Sequence, residues 1–333
     1  MPVKETLHRW WTYLPPILAV LALVHPVLSL MPRWDWRFDL VSHFREPGLV
    51  LTLLAAASLF PRRRRPAVAF LILATLQAEP ILRYSLPNPV QPANTSGPRL
   101  RILMANVLVD NDNYAALASL IRDVRPDVVG LVEVSEEWIA GLADVAKEYP
   151  YRLEAPDGPR GLALWFKQPP IRIDPPARPT IEGWPYLHAT FSFAGKTRQL
   201  WLLHPASPTR RWGRFRGFPE LDAIADRISA AEGSRIVLGD MNTTDGSPHF
   251  HDFLAKTGLR DSRLGFGRQP SWPVGLPYQI TIDHAFVSDD LAVIARRQGP
   301  SIGSDHWPMW LDLAPAEAKA SKNSSAHPSA SAR

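Results

Sequence analysis

Six places in this 333-residue chain set an acid, an amide or a histidine beside an apolar run. Asn106 follows LRILMA, Glu133 follows DVVGLV, His204 follows QLWLL, and Asp240 with Asn242 follows RIVLG. Asp283 with His284 opens an apolar stretch, and Asp305 with His306 precedes WPMWLDL. Carboxylates offer hard oxygen ligands and proton acceptors, amides hold waters or orient acids, and histidines donate to developing negative charge. Several buried strands that deliver such residues to one rim make a reaction site rather than a solvated edge.

The positioning elements are legible from periodicity. Leu100–Val107 and Asp127–Val134 read as buried strands, because both faces are apolar. Between them, Leu117, Leu120, Ile121 and Val124 recur at helical spacing over Tyr114–Val124, with Asn113 as cap. Ser135 with Glu136 and Glu137 opens another helix. Strands follow at Gly161–Phe166, Tyr186–Phe193, Gln199–His204 and Arg235–Asp240, with a helix at Glu220–Ala231 before the last of these. Thr281–Val287 and Trp307–Leu313 close a mixed α/β arrangement in which early βαβ alternation gives way to consecutive strands.

The front of the chain is different in kind. Pro15–Met31 carries no formal charge, and Gly48–Phe60 and Ala67–Leu82 are also apolar runs. The expected spans are 15–31, 46–60 and 67–82, within a membrane anchor of residues 1–85. A secretory signal explains the first run less well: no A-x-A-like cleavage site follows it, and two further apolar runs do. Arg62–Arg65 tips the hairpin between the second and third runs. That tip, with Lys4 and Arg9, predicts a multi-pass protein of the cytoplasmic (inner) membrane with the rest of the chain outside the cytoplasm. Residues 86–98 read as a Pro-rich linker and 315–333 as a disordered tail, leaving 99–314 as the working domain. The chain has no cysteine, which excludes a disulfide framework, a thiolate nucleophile and Cys-ligated metal. Its net charge of +5 suits an anionic substrate or lipid surface and is weak evidence for nucleic acid, since basic residues flanking spans raise it alone.

In order, the pieces read MANV at 104–107, LVEV at 131–134, LLHPASP at 202–208, VLGDMNTTDGSPHF at 237–250, TIDHAFVS at 281–288 and GSDHWPM at 303–309. This series resembles the endonuclease/exonuclease/phosphatase superfamily over nearly all of 99–314. The resemblance implies a DNase-I-like four-layer α/β sandwich, here preceded by N-terminal transmembrane helices. It also implies metal-dependent hydrolysis of a phosphate ester, with Mg²⁺, or Mn²⁺, as cofactor. Glu133 is then the metal ligand, with Asn106 holding a metal water or orienting Glu133, and Asp305 assisting the metal. Asp240 is the candidate base, Asn242 and His204 bind phosphate oxygens, and His306 contacts the scissile phosphate with Asp283 fixing its tautomer. Residue chemistry agrees: such hydrolysis needs a hard cation, an in-line water and donors for developing charge.

His284 falls on the opposite face of its strand from Asp283, and Thr243, Thr244 and Asp245 read as cap or turn residues. One departure stands out: where several nuclease members carry a carboxylate two residues after the asparagine, this chain has Leu108. Substrate is less legible. PTRRWGRFRGFP at 208–219 interleaves arginines with aromatics, suited to phosphates, bases or lipid, and Trp272 sits in a loop like those at the family's site rims. The expected substrate is a phosphate ester, in nucleic acid, a nucleotide or a phospholipid headgroup (lipid or inositol phosphate); the expected surroundings are a lipid bilayer, and no protein partner can be inferred. The competing reading is a catalytically inactive, membrane-anchored scaffold on the same fold.

Overall fold

The computed structural model describes residues 2–86, 97–180, 183–209 and 213–317, with side chains from residue 13 onward and again from 220. Most of the expected linker (87–96) and most of the expected tail (318–333) lie outside the described residues. So do Arg210, Arg211 and Trp212, and of Arg214, Phe215, Arg216 and Phe218 only a helical backbone is described.

Four helices come first: α1 (Pro2–Leu28), α2 (Trp36–Ser42), α3 (Arg45–Leu59) and α4 (Arg64–Ser85). Helices α1, α3 and α4 meet through small residues, with Ala22, Ala55, Ala56, Ala67 and Ala74 buried. Gly48 lies so close to the His25 ring that a Cβ there would come within 2.6 Å of it. Small side chains let backbones approach, and the buried Gln77 amide donates to Thr52 across the α3–α4 seam at 3.1 Å. Among the described residues only α4 is both long and apolar enough to cross a membrane; the apolar part of α1, Tyr13–Leu28, is shorter. The 15 residues of α3 rise about 22 Å.

The remaining chain forms two six-stranded sheets. In order come β1 (Leu100–Asn106), α5 (Tyr114–Val124), β2 (Val128–Val132), α6 (Glu136–Gly141), α7 (Ala143–Ala146), β3 (Tyr151–Ala155) and β4 (Leu162–Phe166). Then come β5 (Arg172–Ile173), β6 (Tyr186–Phe193), β7 (Lys196–Leu203), α8 (Gly213–Ala230), β8 (Ser234–Asp240) and α9 (Pro248–Thr257). The chain closes with β9 (Arg260–Asp261), β10 (Asp283–Val287), β11 (Leu291–Gln298) and β12 (Met309–Pro315). One sheet runs β11-β12-β1-β2-β4-β3 and the other β5-β6-β7-β8-β10-β9.

Strand alternation divides the core three ways. Ile102, Met104, Leu200, Leu202, Ile236 and Leu238 meet between the sheets. Leu103, Ala105, Val129 and Leu131 face the other way, against Leu117, Ile121 and Trp138 of the α5–α7 side. Trp201, Val237 and Phe286 pack on Leu221, Ile224 and Phe250 of α8 and α9. The result is an α/β sandwich of four layers, helices outside and two sheets within.

Helix α5 has the expected bounds, and Asn113 caps it by accepting from the Ala116 amide. Helix α8 begins earlier than expected, at Gly213, running through part of what read as a loop. The two-residue strands β5 and β9, and the longer β3 and β11, were not anticipated from the pattern; neither was α9, whose cap is Ser247.

Candidate active site

Pairing brings the strand ends together. β1 and β2 run parallel with Asn106 in register with Val132, so Asn106 and Glu133 emerge side by side. β7 and β8 are likewise parallel, Leu203 opposite Gly239, which puts His204 beside Asp240. β10 runs antiparallel to β8 with Asp283 facing Asp240. Gly239 is required at this junction: its φ is 147°, and a Cβ would stand 1.9 Å from the Leu203 carbonyl oxygen. Glu133 (φ 62°) and Asn242 (φ 50°) also adopt the left-handed region, which costs an L-residue energy and concentrates at functional sites.

The side chains form one buried constellation. The Asn106 amide nitrogen donates to Glu133 Oε1 and to Asp240 Oδ2, each at 3.1 Å. Its oxygen is taken by the Leu108 amide at 3.0 Å, so the nitrogen, and not the oxygen, faces the acids. His204 Nε2 lies 3.6 Å from Asp240 Oδ2 and 3.9 Å from Glu133 Oε1. His306 Nδ1 is 2.7 Å from Asp283 Oδ2 and its Nε2 is 3.7 Å from Asp240 Oδ2. The His306 loop is tied to β1, since Ser304 donates to the Asn106 carbonyl at 2.8 Å and accepts from the His306 amide at 3.0 Å. Ser271 Oγ accepts from the amides of Ile282 and Asp283, fixing the start of β10.

Burial and charge set the protonation. Burial, and Asp283 beyond it, push Asp240 up to about 7 against the pull of His306. Burial disfavours a charged His306, but Asp283 and Asp240 outweigh it and raise its pKa to about 10. Burial likewise opposes ionised Asp283, and His306 overcomes it, holding Asp283 below the ordinary carboxylate range.

Three buried carboxylates and two histidines fit a divalent cation. Glu133, His204 and Asp240 present ligand atoms within 4.8 Å of one another, as do Asp240, Asp283 and His306. Glu133 and Asp240 point hard oxygens at one space, the donor type that Mg²⁺ and Mn²⁺ take. Crowded acids that raise one another's proton affinity are also what a bound cation relieves.

The other expected residues are placed as follows. Asn242 lines the same pocket; its backbone amide donates to Asp240 Oδ1 and its side-chain nitrogen to the Pro205 carbonyl. Asp305 stands at the pocket edge, its side chain 43% exposed, where Oδ2 accepts from Trp272 Nε1 at 2.9 Å. Trp272 therefore does belong to the rim. Leu108 adds apolar lining where the related nucleases carry an acid, and Asp110 and Asp112 are exposed away from the pocket. His284 points the other way, with Nε2 2.9 Å from the Thr243 carbonyl oxygen.

Sequence reasoning missed the contribution of the N-terminal segment. The pocket, about 260 Å³, is also lined by Leu40 of α2 and by His43. Thr244 and Asp245, expected only to shape a turn, receive that segment. His43 Nδ1 lies 2.8 Å from Thr244 Oγ1, Arg45 donates to Asp245 at 3.2 Å, and Ser247 donates to Asp39 at 2.6 Å. No local pattern signals these contacts, which join residues about two hundred positions apart.

Residues 105–306 match the Endonuclease/Exonuclease/phosphatase family, more than half of the chain. D. rerio TDP2, in a structure complexed with single strand DNA product, is 20% identical with a TM-score of 0.53, over 65% of this chain and 99% of that one. The human Nocturnin catalytic domain with bound sulfate anion is 17% identical at TM-score 0.53, covering 65% and 94%. A functionally unknown conserved protein from Enterococcus faecalis V583 is 16% identical at 0.54, covering 65% and 100%. At these identities the likeness establishes the fold. No curated protein matches the sequence. The chain belongs to the endonuclease/exonuclease/phosphatase family.

Proposed function

We propose that this family member is a membrane-tethered, metal-dependent phosphoesterase that hydrolyses a phosphate ester by in-line attack of an activated water. The observation that carries the reading is the buried set Asn106, Glu133, His204, Asp240, Asp283 and His306, whose amide, acids and imidazoles lie within a few ångströms of one another at one rim. Glu133, with Asp240 beside it, would hold a Mg²⁺ or Mn²⁺ ion, which when bound would polarise the phosphate oxygens as a Lewis acid. Asp240, joined to Glu133 through the Asn106 amide, takes the proton of the attacking water. His306, kept protonated by Asp283, donates through Nε2 to a phosphate oxygen, and His204 donates to another. Asn106 holds Glu133 and Asp240 in mutual register, and Asn242 completes the phosphate-facing wall. A phosphate ester in nucleic acid, a nucleotide or a lipid headgroup satisfies this chemistry, and the DNA product on D. rerio TDP2 supports that class.

The tether rests on composition and exposure. Among the described residues, 21 of the 24 exposed large apolar side chains fall between Tyr13 and Leu86. An apolar surface of that extent on α1, α3 and α4 is what a bilayer would cover. The α1–α3 connection and the α4 end at Tyr84 both meet the sandwich, while the Arg62–Arg65 turn lies at the opposite end of the hairpin. With the basic tip in the cytoplasm, the sandwich is extracytoplasmic.

The test is turnover by the full chain in detergent, with bis(p-nitrophenyl) phosphate and p-nitrophenyl phosphate as diester and monoester. Activity that requires Mg²⁺ or Mn²⁺ and is lost in Asp240→Asn and Glu133→Ala supports the reading. A folded protein that neither turns over nor binds metal would instead be the scaffold.

A further inference from the structure

The pocket has a wall that no catalytic domain of residues 99–314 could supply. Leu40 and His43 come from the short connection between α1 and α3, and that connection is fastened to the sandwich along its length. Arg33 forms a two-pronged pair with Asp252, at 2.6 and 2.9 Å. Asp39 accepts from Ser247, and His43 meets Thr244. Arg45 reaches Asp245, while Glu46 accepts from the Tyr278 hydroxyl at 2.6 Å and pairs with Arg268. Phe44 stacks on Tyr278 at 5.6 Å. Beyond this connection, the Tyr84 carbonyl at the end of α4 accepts from Gly265 and Gly267, and Arg263 lies over the Tyr84 ring at 4.1 Å. The sandwich is thus held against the apolar helices at two points, with the pocket beside the first.

The lining has a definite chemical bias. Leu40, Leu108, Trp184, Trp272, Ile280 and Ile282 make it apolar around the phosphate-directed groups. A wall of this kind suits one phosphate carrying an apolar or amphiphilic alcohol. The connection that carries Leu40 also leaves Leu30 (84%) and Trp34 (77%) exposed, next to the end of an apolar helix, where such residues settle at a membrane interface.

Building on the phosphoesterase reading, we infer that the substrate is a lipid phosphate ester whose headgroup enters from the membrane interface, and that Leu40 is a specificity-determining residue that packs against it.

The experiment uses the full chain in dodecyl maltoside micelles. The probes are dioleoyl phosphatidylglycerol and dioleoyl phosphatidic acid, against bis(p-nitrophenyl) phosphate and a short single-stranded DNA. One lipid should exceed the DNA by about tenfold or more in kcat/KM. Leu40→Trp, which fills the wall, should lower the ratio of lipid to bis(p-nitrophenyl) phosphate kcat/KM by about tenfold, chiefly through the lipid KM, and Leu40→Met should restore most of it. Ile171→Trp, an exposed position outside the pocket, should leave that ratio unchanged. A photoactivatable phosphatidic acid bound to Asp240→Asn should crosslink to the peptide containing Leu40. DNA preferred over both lipids, or a Leu40→Trp loss equal on lipid and diester probe, overturns the inference while the phosphoesterase stands. Crosslinking at Leu40 without turnover of any probe would sink the phosphoesterase reading and keep a lipid-phosphate pocket. Neither turnover nor crosslinking overturns both.

Discussion

The His43 imidazole stands 2.8 Å from the Thr244 hydroxyl, four residues after the candidate base Asp240. Through that contact the α1–α3 connection reaches the loop that leaves the catalytic strand β8. Asp245, next in the chain, is shared: Oδ2 accepts from Arg45 and Oδ1 from the fully buried Arg263, which also pairs with Asp261 at 2.7 Å. The N-terminal segment and the sandwich core therefore hold the same carboxylate.

Asp245→Ala should consequently destabilise the protein by more than a surface ion pair would. It strips one partner from a buried guanidinium and the anchor from Arg45, a loss of about 2–4 kcal/mol. Thermal unfolding of the full chain should show a fall of several degrees, whereas Arg33→Ala, which breaks an exposed pair, should move the midpoint little. Equal small shifts in both would show that the segment is not coupled to the core through Asp245.

The buried Asp39 makes the same seam sensitive to pH. Burial raises its pKa from 3.8 to about 6, against the opposing hydrogen bond from Ser247. The folded protein thus holds this proton more tightly than the unfolded chain does. Its contribution favours folding fully below about pH 4 and is lost as pH rises through about 6. Asp39→Asn keeps an acceptor for Ser247 and removes the ionisation. The variant should be more stable than the parent at pH 8 by up to about 3 kcal/mol, the two converging near pH 4. Unfolding midpoints measured across that range check it; parallel curves would contradict it.

The pair His306 and Asp283 gives a kinetic expectation. Asp283→Asn leaves a hydrogen-bonding group 2.7 Å from Nδ1 but removes the charge that keeps the imidazole protonated. Turnover of bis(p-nitrophenyl) phosphate should fall by about 10²-fold or more in kcat with KM changed far less, as expected for an acid acting in the transition state. A loss confined to KM would assign the pair to ground-state binding.

How much of this could be read beforehand depends on the range of the interaction involved. Helix α5 was legible because its cap and its apolar stripe are local, and the buried strands because an apolar run ending in one polar residue is local too. That Asn106, Glu133, His204, Asp240, Asp283 and His306 share one buried space follows from six strands being brought to one rim by two parallel pairs, β1–β2 and β7–β8, and two antiparallel partners, β10 and β12. No comparable signal exists for α2 and the connection after it: Trp36–Ser42 is seven residues, and the partners of Asp39, His43 and Arg45, which are Ser247, Thr244 and Asp245, lie about two hundred positions away. Thr244 and Asp245 looked like turn formers because Thr and Asp favour turns whether or not another segment binds them. Strands of two residues, β5 and β9, are too short for any period to appear.

Glu133 supplies a last test, one that separates function from stability. Its φ of 62° costs an L-residue about 1–2 kcal/mol, a cost glycine escapes. Glu133→Gly and Glu133→Ala both remove the carboxylate that accepts from Asn106 and from the Val109 amide. Both should therefore lose metal-dependent turnover and the rise in unfolding midpoint that Mn²⁺ gives the parent, a rise set by ligand concentration relative to Kd. They should differ in stability, with Glu133→Gly above Glu133→Ala by about 1 kcal/mol. Calorimetric Mn²⁺ titration and thermal unfolding of the two variants read the two effects independently. A Mn²⁺ affinity retained in either variant would remove Glu133 from the metal site, and Glu133→Ala more stable than Glu133→Gly would mean that the left-handed backbone there carries no strain.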